Sequence, residues 1–169
     1  LGVYSVLGNH AYGEYTSWKS YEEKNRNFKN LLKAQKESGW NLLLNENDTI
    51  SVAGNKIKVI GVENWSSSRF QQYGDLDKAY NGLDNEDFKI LMTHNPSHWN
   101  AKVTDAYNDI DLTLSGHTHG LQYGIDIGDF RISPVRLAYK QWADLYELNK
   151  QYIYVNRGFG FMGYPGRVG

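Results

Sequence analysis

Apolar residues come in short bursts along this chain, and nearly every burst ends in a turn signal. Residues 2 to 7 (GVYSVL) are β-branched and apolar and run into Gly8-Asn9-His10, which predicts a strand followed by a loop. From Ser20 to about Ser38 the period becomes helical. Ser20 and Glu23 have capping-box spacing, Phe28, Leu31 and Leu32 recur on one face, and Gly39 supplies a stop. Residues 48 to 53 and 56 to 63 predict two strands joined by a tight hairpin, with Gly54-Asn55 as its positive-φ residues. A polar aromatic loop then leads to a short helix near 75 to 82. FKILMTH (88 to 94) predicts an apolar strand ended by Pro96, and 96 to 107 a helix with proline in its first turn. IDLTLSGHTHG predicts another strand, and QYIYVN (151 to 156) the last one before a glycine-rich tail. Strands alternating with helices predict an α/β (α+β) layered sandwich.

Composition narrows the classes. At 169 residues the chain has the length of one domain. A formal net charge of −1 gives no general electrostatic case for nucleic acid or an anionic membrane. The absence of cysteine excludes disulfides and thiolate ligands. No apolar run approaches the ~18 residues of a membrane span. The chain starts at Leu1, already inside a strand, and stops at GYPGRVG without a terminal helix. Both ends read as cuts, so residues 1–169 are expected to be part of a longer domain.

All five histidines fall in three places, GNHAYG (8 to 13), THNPSHW (93 to 99) and SGHTHG (115 to 120), each directly after a short apolar strand. In α/β sheets ligands bind beyond the carboxyl ends of strands, so three such loops can bring imidazoles together. Histidine nitrogens and the Asn9 carbonyl suit borderline ions such as zinc, manganese or iron. His117 and His119 differ by two: an extended chain would put them on one face, whereas a turn after Gly116 would let them serve two neighbouring ions. His98 reads as a packing residue beside Trp99.

Gly8-Asn9-His10, the lone His94 after its strand, and Gly116-His117-Thr118-His119, in that order, resemble the calcineurin-like metallophosphoesterases. The family pattern is D-x-H, G-D-x-x-D, G-N-H-[D/E], a single His, then G-H-x-H, and this chain matches the last three blocks. VENW, PSHW and NRGFG look closest to a bacterial branch often anchored by N-terminal membrane segments. The resemblance implies the C-terminal part of a metallophosphoesterase domain that hydrolyses a phosphate monoester or diester with two divalent ions (Mn, Fe or Zn). It implies Asn9, His94 and His117 as ligands of the second metal, His119 as a ligand of the first, and His10 as the non-ligand histidine beside the scissile phosphate. A membrane connection would come only through segments outside this chain.

Two features depart from the pattern. D-x-H and G-D-x-x-D, which carry the bridging aspartate, are absent; Asp105, Asp109 and Asp111 lack their context and read as ordinary strand-edge or helix residues. The fragment alone is therefore expected to be inactive and at best weakly metal-loaded, with residues 2 to 7 as an exposed edge open to dimerisation or to a missing N-terminal part. The acid expected after His10 is Ala11, and Glu14 is a candidate stand-in, although it reads better as a solvated helix-start carboxylate. Arg69 and Arg157 are candidate phosphate contacts, and Tyr12, Trp65 and Phe159 either an apolar wall or core. Ala11 supports one rival, a non-catalytic phosphate-binding or scaffold module; a nuclease of the same superfamily would need a basic stripe that the sequence lacks.

Overall fold

The computed structural model describes residues 2–84, 87–128 and 130–168. β1 (Val3–Ser5) is followed by a 3-10 turn (Asn9–Tyr12), α1 (Tyr21–Glu37), β2 (Trp40–Leu42), β3 (Glu46–Val52), β4 (Asn55–Gly61), α2 (Leu76–Tyr80) and β5 (Phe88–Met92). A π-helical turn (Trp99–Val103) runs into α3 (Thr104–Ala106), β6 (Leu112–Ser115) and a 3-10 turn (His119–Gln122). The hairpin β7 (Ile125–Ile127) and β8 (Phe130–Ile132), a 3-10 turn (Pro134–Leu137), β9 (Asp144–Leu148) and β10 (Gln151–Val155) complete the order. Six strands make one mixed sheet, β3-β4-β5-β6-β10-β9. Its inner strands β4, β5, β6 and β10 run parallel, with β3 and β9 as antiparallel edges. β1 and β2 form a separate parallel pair. The fold is mixed α/β, as the alternation of strands and helices predicts.

Local signals place α1 well. Ser20 Oγ accepts from the Glu23 amide at 3.2 Å, while the Glu23 carboxylate takes the Lys19 amide at 3.0 Å instead of that of Ser20. The capping box is thus displaced by one residue on its return side. The hairpin is displaced too. Val52 pairs with Asn55, so the turn residues are Ala53 and Gly54, at φ 49° and 83°, and not Gly54-Asn55. This register sets Ile50 opposite Ile57, and keeping that apolar pair aligned outweighs the ~1–2 kcal/mol that a left-handed alanine costs. β2, β7, β8 and β9 were not legible as periodic segments, three of them being only three residues long.

The core covers one face of the large sheet. Ile60, Val62, Leu91, Ile153 and Val155 project from it against Leu76 and Ala79 of α2 and Trp99 and Val103 of the π turn, all buried. Burying these side chains together removes the sheet face from water at roughly 25 cal/mol per Å². Lys89 lies within this layer, its Nζ 3.2 Å from Asp109 and 3.1 Å from the Asp87 carbonyl, so the buried charge is neutralised and hydrogen-bonded. The opposite face is thinly covered: Leu114, Tyr152 and Tyr154 are each more than a third exposed. Leu91→Ala is therefore expected to cost about 2–5 kcal/mol, and Leu114→Ala less than about 1 kcal/mol, in urea unfolding of the chain. Equal losses would show that the two sheet faces contribute alike.

Candidate metal centre

Parallel register assembles the candidate centre. Met92 is aligned with Leu114 across β5 and β6, and the ladder continues past both strands through Thr93 N to Leu114 O (3.1 Å) and Gly116 N to His94 O (3.0 Å). His94 and His117 each stand two residues beyond a strand end, so they emerge side by side. The loop after β1 brings Asn9 to the same place. Gly8 makes this approach possible: a Cβ there would lie 2.8 Å from atoms of the His94 ring. Only a residue without a side chain lets the backbone close on that imidazole.

Three potential donor atoms form a tight triangle. His94 Nε2 lies 2.9 Å from Asn9 Oδ1, His117 Nδ1 lies 3.0 Å from the same oxygen, and the two nitrogens are 3.2 Å apart. Tyrosines orient the outer sides of this group. Asn9 Nδ2 donates to Tyr15 Oη at 2.7 Å, which turns the carboxamide oxygen toward the histidines. His117 Nε2 is 2.9 Å from Tyr139 Oη, so a proton on Nε2 leaves the Nδ1 lone pair facing Asn9 and His94. Burial pushes the His94 imidazole down to about 3, with further depression by His117, His10 and His119. Burial likewise lowers His117 to about 4, aided by His119 and His10. Both rings are neutral at neutral pH, which is the form that binds metals. Two neutral imidazoles and one amide oxygen suit a borderline divalent ion. Among the described residues no group of three or more His, Cys, Asp or Glu side chains is arranged to hold a metal; the trio differs because its third member is an amide.

His119 stands beside the trio. It lines the same cleft, of about 650 Å³, together with His10, Arg69, His94 and His117. Its Nδ1 is buried without a hydrogen-bond partner among the described residues, and a buried nitrogen left unpaired is one that a bound group could satisfy. The chain does not stay extended after Gly116. His117, His119, Leu121 and Gln122 take φ of 69°, 51°, 49° and 58°, with Gly120 at 59°. Each non-glycine residue in this region costs on the order of 1–2 kcal/mol, so the turn is strained and must be held by its surroundings. Thr118, between the histidines, is buried and donates to the Trp142 carbonyl at 2.6 Å.

The other candidates separate. His10 is exposed on the cleft, its ring stacked on Tyr15 at 4.3 Å. Glu14 pairs with Lys24 at 2.5 Å, so its carboxylate is engaged by that ammonium. Arg69 lines the cleft with its guanidinium 5.8 Å from the Phe70 ring centroid. Arg157 is not among the cleft-lining residues and pairs with Asp126 at 3.5 Å. Asp109 and Asp111 serve Lys89, the first at its Nζ and the second at its backbone amide. Tyr12 is core, packed on Phe28 and Tyr73. Trp65 stacks on His98 at 4.5 Å, and Phe159 is fully exposed outside the cleft. His98 packs as its position beside Trp99 suggests, buried with Nδ1 3.0 Å from Thr93 Oγ1. Tyr15 and Tyr139 escaped the sequence reading, because 13 tyrosines offer nothing to single out two.

The buried histidines give stability a pH dependence. Folded values of about 3 for His94 and His98 and about 4 for His117 lie below the unfolded 6.5. The unfolded chain therefore takes up protons first as pH falls. Stability is complete above about pH 6.5 and declines from there toward pH 4, by up to about 1.4 kcal/mol per pH unit for each histidine. Asp48 and Asp109, whose carboxyls are also lowered, act only at more acidic pH. In metal-free buffer the urea midpoint should drop between pH 7.5 and 5, and His98→Gln should remove about one histidine's share. A flat profile would contradict neutral burial.

The sequence model of the calcineurin-like phosphoesterase family matches residues 1–121, which include all five histidines. A transmembrane protein with metallophosphoesterase domain from Bos taurus is 31% identical over 180 residues, covering 100% of this chain and 36% of its own. The metallophosphoesterase YkuE of Bacillus subtilis is 30% identical over 167 residues, covering 98% of this chain and 51% of its own. A metallophosphoesterase of Aquifex aeolicus is 29% identical over 171 residues, 99% of this chain and 57% of its own. The chain thus spans between about a third and three-fifths of these relatives, which come from bacteria and from cattle and so do not single out a bacterial branch. No helix among the described residues is long and apolar enough to cross a membrane. No solved structure gives a significant match. By its family match and by relatives aligned over nearly its whole length, this chain belongs to the calcineurin-like phosphoesterase family.

Proposed function

We propose that this chain carries one half of a dinuclear centre in a metal-dependent phosphoesterase. The observation that supports it is the 2.9–3.2 Å triangle of Asn9 Oδ1, His94 Nε2 and His117 Nδ1. These three would hold one divalent ion, and His119 would contribute to a second whose other ligands would have to come from outside the described residues. The substrate is a phosphate monoester or diester. A pair of divalent ions supplies Lewis-acid polarisation of the phosphoryl group and a lowered pKa for the attacking water. Asn9, His94 and His117 bind; Tyr15 and Tyr139 fix the amide and the His117 tautomer. His10, exposed on the cleft, would hold or deliver a proton at the leaving oxygen. Tyr15 stacks on the His10 ring and would orient it. Arg69, on the cleft wall, is the candidate phosphate contact. β1 pairs with β2 alone among the described residues, so its second edge is open to a strand from the preceding sequence or from another copy.

Zinc titration of the chain should show one weak site. His94→Ala should abolish it and His98→Gln should leave it intact; retention in His94→Ala would remove the trio as a site. In a chain extended upstream of Leu1, His10→Ala should keep metal content while lowering turnover by ~10²–10⁴-fold. The loss should shrink for nitrophenyl esters, whose leaving group needs no proton. Loss of metal instead would move His10 into the ligand set. Unchanged turnover would remove His10 from acid catalysis, and no turnover in the unsubstituted extended chain would favour the rival supported by Ala11, a phosphate-binding module without catalysis.

A further inference from the structure

The strained turn that presents His119 is fastened to the glycine-rich tail by two side chains. Arg167 donates from Nη1 to the His119 carbonyl at 2.9 Å. Its Nη2 donates to the carbonyls of Arg157 (2.9 Å), Gly158 (2.6 Å) and Gly160 (3.1 Å). One guanidinium thus gathers the two ends of the tail and the histidine backbone, a task suited to a rigid fork of five donors. Gln122, buried at φ 58°, uses both ends of its amide. Its Nε2 donates to the Tyr164 carbonyl at 2.7 Å and also to that of Gly166, while its Oε1 accepts from the Met162 amide. Backbone pairing extends the seam, with Val168 N to Gln122 O at 2.9 Å and Gly124 N to Val168 O at 2.8 Å.

The rest of the fold holds the turn at different points. Thr118 is tied to Trp142, and the Gly120 carbonyl accepts from Ser133 Oγ at 2.8 Å. Neither contact reaches the His119 carbonyl or the Gln122 side chain. Gly160, in the tail, also lies against the His119 ring, where a Cβ would be 3.5 Å from Cε1. Left-handed residues at His119, Leu121 and Gln122 relax unless something over-determines them. At His119 and Gln122 the tail supplies that restraint.

We propose that Arg167 and Gln122 are positioning residues that clamp residues 157–168 onto the histidine turn and thereby hold His119 at the cleft. Its bearing on catalysis rests on the reading of His119 as a ligand; the clamp itself does not. Arginine and glutamine are both specified by geometry. Lysine cannot offer a fork to four carbonyls, and glutamate at position 122 would set a carboxylate against two carbonyl oxygens.

Amide exchange and histidine NMR signals of the chain test the clamp. Arg167→Ala and Gln122→Glu should each speed exchange of Leu121, Tyr123, Gly124 and Val168 about tenfold or more, as expected for a local opening. Exchange in β5 and β6 should stay unchanged. The His119 imidazole signal should move toward that of free histidine while His98 keeps its own, and Arg167→Lys should give a partial effect. An unchanged His119 signal would overturn the proposal. So would exchange rising equally in β5 and β6, since Arg167 would then act on global stability. Metal content of His119→Ala in the upstream-extended chain decides the ligand reading separately: unaltered content would remove that reading and leave the clamp standing.

Discussion

The candidate centre depends on the parallel pairing of β5 with β6. Because Met92 is aligned with Leu114, the two strands release their chains at the same level, and His94 and His117 emerge as neighbours. A slip of one residue would turn both the core side chains and the histidines to opposite faces. The register is specified by burial: Lys89 and Leu91 on β5 and Thr113 and Ser115 on β6 point into the covered face, while Leu114 points away. Core packing and site assembly are therefore one constraint, since the apolar layer that stabilises the sheet also fixes where its histidines end.

Around that pair, the polar groups are arranged so that neutral donors face one another. Burial holds His94 and His117 uncharged, which removes their mutual repulsion and leaves lone pairs available. Tyr15 and Tyr139 then satisfy the amide nitrogen and the far imidazole nitrogen without adding charge. This second layer matters as much as the donors, because an unanchored carboxamide or imidazole would rotate away. The family membership makes a divalent-metal reading of this arrangement the one to propose, while the cleft carries little charge beyond Arg69.

The turn from His117 to Gln122 shows stability and presentation in tension. A relaxed extended strand would place both histidines on one face; four left-handed non-glycine residues direct them differently. Such a conformation survives only where neighbours over-determine it, and those neighbours come from distant parts of the chain: Trp142, Ser133 and the tail around Arg167.

The sequence by itself determined the elements whose signals are local. Ser20, Glu23 and Gly39 marked α1, the apolar run FKILM marked β5, and the glycine-flanked histidines after strands marked the loops that matter. Motif order carried the family, since GNH, the lone histidine and GHTHG need no contact information to be read. What only the tertiary structure decided is relational. Strand register put three donors within 3.2 Å of one another, and no local pattern encodes which strand lies beside which. Tyr15, Tyr139 and Arg167 were invisible for the same reason, being ordinary residues whose roles exist only through partners 6, 22 and 48 positions away. The separation of Arg157 from the cleft and the pairing of Glu14 with Lys24 were likewise settled by ion pairs across loops. Local chemistry writes the elements and the donors; long-range packing alone decides which of them meet.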